Sequence, residues 1–582
     1  MHGMSGRRKV LVLGNDTRSF LATVRSLGRA GLDVHAAPFG FRSPALRSRY
    51  ISHAHWLPYY IAGSEEWLES ITALLRAEEF DLVIPCDERT LIPLHLHAAQ
   101  LSPLSPLAIP GEPALEVFFD KNLTRELARS LGIAVCPGRL IEPSDTADSL
   151  IAEAGLPLAI KPAQSYTAGR LYSRNQVVIA SDRQTLEEAL LASRNTQYLF
   201  ETLFEGRGVG VSVLASKGRV LQAFEHRRVR ELAGSSYYRV SAPASASLTD
   251  AVAKMTRAVD YTGIAMFEFR LNEASGAWVL LEVNARPWGS LPLPVALGVD
   301  FPYRWYQLLV EGLETPPIAY RLGVYGRNFL PDLRQVAVRA KMLRGQPLKL
   351  AGLLARTVAE YGRLFIGREA NDVLVSDDPL PGLVEFKEPF VEISESLRLA
   401  LPGAIERRKK SDRRRLRRRI RNRKRGGAVI AVVCQGNICR SPFAAALLRR
   451  HLHSESNRIR VHSAGMLPRV GVPSPATAIE AASRVAVDMQ SHRSQPLSRE
   501  IAESATVFVV FDEINLMAIR DRYPFISAPI VMLGSFLKTG EFPWMIADPD
   551  GGDLATFQST YAQIATAVNG LADDIRNALD AR

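Results

Sequence analysis

Cysteine is scarce. There are four (Cys86, Cys136, Cys434, Cys439) in 582 residues, too few for a disulfide framework and suited to a reducing cytoplasm. Long apolar runs are missing as well: none approaches the roughly 20 residues that a bilayer span needs. Val10-Leu11-Val12-Leu13, after Arg7-Arg8-Lys9, is too short for a secretory leader and reads as a first strand. A soluble, cytoplasmic protein is expected. A dinucleotide fingerprint is lacking too, because Gly14-Asn15-Asp16 forms only a turn where a G-x-G-x-x-G would stand. Evenly spread positive charge is also absent. The net charge is +12, but residues 407–425 hold 14 Lys or Arg and one Asp, which leaves the rest near −1. Neither folded body need attract nucleic acid.

What is present is ordinary globular chemistry, 47% hydrophobic and 23% charged, on a chain long enough for several domains. Residues 9–115 alternate strand and helix patterns: Val10–Leu13, a helix over Arg18–Ala30 stopped at Gly31, Asp33–Ala37, and Asp81–Pro85 followed by Cys86-Asp87-Glu88. That rhythm predicts a doubly wound sheet. Further on, Val429–Val433 reads as a buried parallel strand, Cys434-Gln435-Gly436-Asn437-Ile438-Cys439-Arg440-Ser441 as a tight loop, and Pro442–Leu448 as a helix start. Strand, loop and helix start aim amides and a helix dipole at one point, which suits an oxyanion. The amides and Arg440 favour a Cys434 thiolate, and the planar Arg440 fork matches two phosphate oxygens. These residues describe a nucleophile that accepts a phosphoryl group.

Residues 428–582 resemble a low-molecular-weight protein tyrosine phosphatase. Ser463-Ala464-Gly465, His492-Arg493-Ser494-Gln495 and Asp548-Pro549 also fit. The resemblance implies Cys434 as nucleophile, Arg440 as phosphate clamp, Ser441 as thiolate partner, Asn437 as keeper of the loop's shape and Asp548 as general acid. Gln435, Gly436, Ile438 and Cys439 complete the phosphate loop. Taken alone, Ser441 is most often a helix cap and Asp548 a turn residue before Pro. Members of the family with arsenate reductase activity relay electrons through further cysteines, and this chain has none after Cys439. Cys439 stands where some phosphatases carry a second thiol able to form a protective disulfide; a free buried thiol is the equal alternative. Asp550-Gly551-Gly552 follows Asp548-Pro549 where phosphotyrosine-specific members place aromatics, so phosphatase chemistry is the firmer expectation and phosphotyrosine preference the weaker.

A second set lies upstream. Phe119–Leu123 opens a helix with Leu123, Leu127 and Leu131 on one face, and Ile160-Lys161-Pro162 ends a strand. Tyr198–Gly206 runs into a hinge, and Gly210–Ala215 is another strand. Met266–Arg270 and Val279–Arg286 read as a hairpin in which Glu282 and Asn284 share a face. Two carboxylates and an amide oxygen are hard ligands suited to Mg²⁺ on nucleotide phosphates, with Mn²⁺ as the alternative. Residues 1 to about 310 are similar to ATP-grasp proteins of the carbamoyl-phosphate-synthase-like branch. That resemblance implies Glu268, Glu282 and Asn284 as metal ligands, Lys121 and Lys161 on phosphates, Arg286 beside the γ-phosphate, and adenine against Glu201 and the backbone near Phe204. It places a ribose-binding Glu where this chain has Gly208, with Glu205 as the substitute. It further implies a carboxylate–amine ligase acting through an acyl phosphate, with small-molecule carboxylate and nucleophile substrates; Trp288-Gly289-Ser290 sits where such acceptors enter.

The fold class expected is α/β multidomain: a pre-grasp domain (1–115), ATP-grasp lobes (116–310), a helical extension (311–395) with helices over Leu333–Leu343 and Leu348–Gly362, a basic linker (396–427), and a parallel-sheet phosphatase domain (428–582). Leu416 and Ile420 are the only apolar residues of 407–425, so a helix there would bury almost nothing, and like charges would keep the tract extended. It reads as a solvated linker or as a contact for an anionic membrane or polyanion. Three functions stay open: a ligase fused to a phosphatase acting on phosphorylated protein or small phosphomonoesters; a phosphatase with a non-catalytic nucleotide sensor; or a kinase paired with an opposing phosphatase.

Overall fold

A computed structural model describes residues 8–193, 196–232, 235–364, 366–388, 403–422, 427–538 and 543–581. The chain divides into two compact units. The first comprises Met1–Pro38, Ser43–Leu57 and Leu68–Phe386, and the second Phe39–Arg42, Pro58–Trp67 and Lys387–Arg582.

The first unit begins with a parallel sheet of order β3-β2-β1-β4, from β1 (Lys9–Leu13), β2 (Asp33–Ala37), β3 (Ile51–Ala54) and β4 (Leu82–Pro85). Val10, Leu11 and Val12 of β1 are all fully buried, as a central strand covered on both faces requires. Helix α1 (Ser19–Arg29) has its first N–H groups satisfied by the Asp16 carboxylate, which accepts from Ser19 at 2.6 Å and from Phe20 at 3.0 Å. Helix α2 (Glu66–Glu78) precedes β4. Helix α3 (Lys121–Ser130) is capped by Asp120, which takes the N–H groups of Asn122 and Leu123. A four-stranded antiparallel sheet follows, order β5-β8-β6-β7, from β5 (Gly138–Leu140), β6 (Leu158–Pro162), β7 (Val178–Ala180) and β8 (Tyr198–Thr202).

The floor of this unit is a seven-stranded sheet built from β9 (Arg207–Ser216), β10 (Arg219–Leu232), β11 (Ser235–Ala242), β12 (Gly263–Leu271), β13 (Trp278–Asn284), β14 (Tyr325–Arg327) and β15 (Glu369–Asn371), in the order β13-β12-β9-β10-β11-β14-β15. The two helices expected after residue 311 are present as α4 (Phe329–Met342) and α5 (Pro347–Tyr361). The segment is not purely helical, however, because β14 and β15 extend the seven-stranded sheet from β11. Three-residue strands show no alternation to read. Buried charge fixes them instead: Arg327 gives a bidentate pair to Glu369 (2.6 and 2.9 Å) and also meets Asp332.

The second unit carries a parallel sheet of order β17-β16-β18-β19, from β16 (Ala428–Cys434), β17 (Ile459–Gly465), β18 (Val507–Val510) and β19 (Ile530–Met532). The basic tract departs from expectation. Over Ala404–Arg421 it forms an 18-residue helix, α6, with Lys409, Asp412, Leu416 and Ile420 buried. Its partner acids lie far along the chain, so local charge could not reveal them. Asp574, buried in the C-terminal helix, accepts from Arg413 at 2.7 and 3.0 Å and from Arg417. Asp412 in turn accepts from the Met532 N–H (3.2 Å) and the Ser535 hydroxyl (2.9 Å). The expected linker residues 396–402 and 423–426 lie outside the described residues. After β16 come α7 (Arg440–His451) and finally α8 (Leu554–Asp580). Among the described residues no helix is long and apolar enough to cross a membrane.

Candidate functional site

Each unit presents its own cavity. In the first, a cavity of about 940 Å³ is lined by Lys121, Lys161, Glu201, Phe204, Glu205, Glu268, Glu282, Asn284 and Arg286. Every nucleotide- and metal-binding residue expected from the sequence therefore meets in one place. The register explains the acids: Glu268 of β12 stands directly opposite Glu282 of β13, and Met266 opposite Asn284. Paired positions of an antiparallel ladder project on one face, so the two carboxylates are neighbours. Burial pushes the Glu268 carboxyl up, partly opposed by Arg228. Burial also acts against the Glu282 anion, but the Lys121 and Lys161 ammonium groups outweigh it and hold Glu282 below its usual range. Lys121 itself is pushed down by burial and donates to Ser165 Oγ at 3.0 Å.

Several of these side chains already have partners. Glu201 is buried and ion-paired with both Arg125 and Lys161, and its backbone is paired on both sides within the sheet, so the adenine contact expected at Glu201 would require its carboxylate to leave these partners. Arg286 donates to Glu88 Oε1 at 3.0 Å and to Asn284 Oδ1 at 3.1 Å, and Asn284 donates to Glu282 Oε1 at 3.4 Å. Glu268 is held by Arg228. The donor set fits a hard divalent cation: two opposed buried carboxylates, one amide, and cations ready to exchange partners.

The sequence did not single out Arg228, His226, Arg18 or Glu88. Arg228 and His226 sit on β10, and each crosses over a glycine of β9. A Cβ at Gly208 would lie 2.5 Å from Arg228 Cδ and 2.4 Å from Glu231 Oε1, and one at Gly210 would lie 2.2 Å from the His226 ring. Gly208, where a ribose-binding Glu was looked for, instead makes room for Arg228 and donates its N–H to Glu231 (3.2 Å). Glu205 is exposed at the cavity. Arg18 approaches Gly289, where a Cβ would meet its guanidinium at 2.9 Å, and it lies 5.5 Å from the Tyr237 ring centroid. The consecutive basic residues His226-Arg227-Arg228 and the glycines at alternate positions 208 and 210 were the available sequence signal.

In the second unit, β16 delivers Cys434 to the floor of a cavity of about 140 Å³, lined also by Gln435, Gly436, Ile438, Cys439, Leu467, Arg469, Asp548 and Asp550. Cys434 Sγ lies 3.0 Å from Ser441 Oγ and accepts the Asn437 N–H at 3.3 Å. Asn437 adopts the left-handed conformation (φ 54°) that tightens the loop. Its side chain secures that turn on both sides, donating to Ser441 Oγ (2.9 Å) and accepting the Gln495 N–H (2.9 Å). His492 Nε2 lies 2.7 Å from the Asn437 carbonyl and so carries the proton; burial pushes the His492 pKa down. Arg440 is buried beneath the loop. It donates to Asp512 Oδ2 and Asp548 Oδ2, both at 2.6 Å, and to the Ile546 carbonyl at 3.1 Å. The residues expected as nucleophile, clamp and acid are thus brought together, with Arg440 bonded to Asp548. Cys439 is a free buried thiol, pushed up by burial and by the Asp550 and Asp548 carboxylates.

Comparison with known proteins follows this division. Residues 429–581 match the family described as low molecular weight phosphotyrosine protein phosphatase. Residues 194–323 match the family described as ATP-grasp in the biosynthetic pathway with Ter operon. The chain is 34% identical over 148 residues to a probable low molecular weight protein-tyrosine-phosphatase, EpsP, of Ralstonia nicotianae, covering 25% of this chain and 95% of the relative. Two solved structures are similar to part of the chain. One is the biotin carboxylase domain of Hydrogenobacter thermophilus 2-oxoglutarate carboxylase (TM-score 0.44, 18% identity, 55% of this chain and 73% of that one). The other is N5-carboxyaminoimidazole synthetase from Staphylococcus aureus (TM-score 0.44, 15% identity, 55% and 82%).

Proposed function

We infer that this chain, which through residues 429–581 belongs to the low molecular weight phosphotyrosine protein phosphatase family, carries phosphomonoester hydrolysis and an ATP-dependent ligation on one polypeptide. In the hydrolase, Cys434 Sγ attacks phosphorus and the P–O bond to the alcohol breaks. Asp548 protonates the departing oxygen, since an alkoxide or phenolate leaves poorly otherwise. Water then attacks the phosphocysteine and gives its proton to Asp548, and the S–P bond breaks to release phosphate. Ser441 and the Asn437 amide stabilise the sulfur anion, and Arg440 exchanges Asp548 for substrate oxygens. The observation supporting this half is the 3.0 Å Cys434–Ser441 contact above a buried arginine.

In the other half, Lys121, Lys161 and Arg286 hold the triphosphate of ATP. A substrate carboxylate oxygen attacks the γ-phosphorus, ADP departs, and an amine displaces phosphate from the acyl carbon. Glu268, Glu282 and Asn284 would hold Mg²⁺, which when bound neutralises phosphate charge. Arg18, with no acidic partner among the described residues, gives the acceptor region a cation suited to an anionic substrate. The observation supporting this half is the Glu268–Glu282 opposition facing that ring of cations. Two assays test the halves separately. Phosphate release from para-nitrophenyl phosphate should vanish in Cys434→Ser. ADP release in a carboxylate–amine metabolite screen should vanish in Glu282→Ala. ATP binding without ADP release under any substrate pair would refute ligation and favour a nucleotide sensor.

A further inference from the structure

The edge of the first sheet holds a cluster that neither reaction uses. His35 on β2 pairs in register with His53 on β3, and His55 follows two residues later. The His35 and His53 rings lie 4.7 Å apart and the His35 and His55 rings 5.0 Å apart, stacked. His35 Nδ1 and His55 Nε2 face each other at 2.8 Å. Phe80 closes the side edge-on at 5.1 Å, which leaves His35 2% exposed with its Nε2 buried and without a hydrogen-bond partner. The last residue of α2, Glu78, brings a carboxylate to the same point. One ligand atom each from His35, His55 and Glu78 lie within 4.8 Å of one another. Burial favours neutral imidazoles at both positions, and neutral imidazole is the form that ligates.

We propose that His35, His55 and Glu78 form a binding site for a first-row transition-metal dication, Zn²⁺ by donor chemistry. Two imidazoles and one carboxylate are borderline donors of the kind zinc takes, leaving a coordination position for water. At zinc–nitrogen distances of about 2.0–2.1 Å, the facing nitrogens must part by only about half an ångström. One N–H now bridges these nitrogens; binding the metal shifts that proton to the far nitrogen of its own ring, with no net proton release, and leaves both facing lone pairs for the ion. Lys9 is the built-in competitor: its Nζ donates to Glu78 Oε2 at 2.9 Å and to the Glu78 carbonyl at 3.3 Å. The bound ion would tie β2 and the end of the edge strand β3 to the end of α2.

The test uses the full-length Cys434→Ser protein, which removes that sulfur as a competing ligand, stripped with chelator and held in excess Mg²⁺ to occupy hard-oxygen sites. Titration with Co²⁺, read as visible d–d absorption, and with Zn²⁺ by calorimetry should show one site. His55→Ala and Glu78→Gln should each weaken it by about tenfold or more. Lys9→Met should tighten it, a gain that non-specific surface binding would not show. No binding, or equal affinity in the parent and in His55→Ala, would overturn the proposal, as would weaker binding in Lys9→Met with its fold intact by circular dichroism.

Discussion

The bond between Arg440 and Asp548 means that an arriving oxyanion must displace a carboxylate from its clamp. Asp548→Asn therefore separates two effects that usually fall together. The Arg440–Asp548 contact is 2.6 Å, but the Asp548 side chain is 42% exposed against 2% for Arg440, so solvent screens it and about 1 kcal/mol is a fair worth. Releasing that restraint, and the repulsion of a dianion by Asp548, should tighten competitive inhibition by phosphate or vanadate by about fivefold. Turnover should move the other way, because losing a general acid costs roughly 10²–10⁴ in rate. The loss should be steeper for phenyl phosphate than for para-nitrophenyl phosphate, whose leaving group needs less protonation. Steady-state kinetics with both esters and both inhibitors provide the measurement. Weaker oxyanion inhibition in Asp548→Asn, or an equal loss on the two esters, would refute the reasoning.

Leu416→Ala should cost about 3 kcal/mol, as for other fully buried leucines. That lowers the temperature at which phosphatase activity is lost by roughly 6–12 °C; a shift under about 2 °C would mean that α6 is not packed. Gly208→Ala should push Arg228 off Glu268 and cut ADP release by about tenfold, with para-nitrophenyl phosphate hydrolysis serving as the internal control. His226 is buried and pushed down by burial and by the Arg239 and Arg228 charges. It stays neutral when folded, while the unfolded chain takes up a proton below about pH 6.5. Its contribution is present above that pH and falls by up to about 1.4 kcal/mol per unit on acidification. Denaturant titrations of His226→Gln between pH 7.5 and 5.5 should show a flatter dependence.

How much the sequence reveals depends on how local the geometry is. The loop from Cys434 to Ser441 is contiguous, and its strand and helix flank it directly, so its shape could be read. Glu268, Glu282 and Asn284 follow from strand alternation and one hairpin. Arg228 was out of reach because its position depends on a glycine in the neighbouring strand. The tract 407–425 was misread for the same reason, since its balancing carboxylate, Asp574, is some 160 residues away. β14 and β15 were hidden because three residues cannot display a period.

Helix α6 has a practical consequence for anyone who cuts the chain. The family match begins at 429, which invites excision just ahead of β16. Such a fragment would bare the apolar bed of Leu416 and Ile420. It would also strand Asp574 in the interior with both guanidinium partners gone. An isolated hydrolase prepared this way should aggregate or melt early, and starting at Gly403, just ahead of α6, in the sequence that looks dispensable, should rescue it.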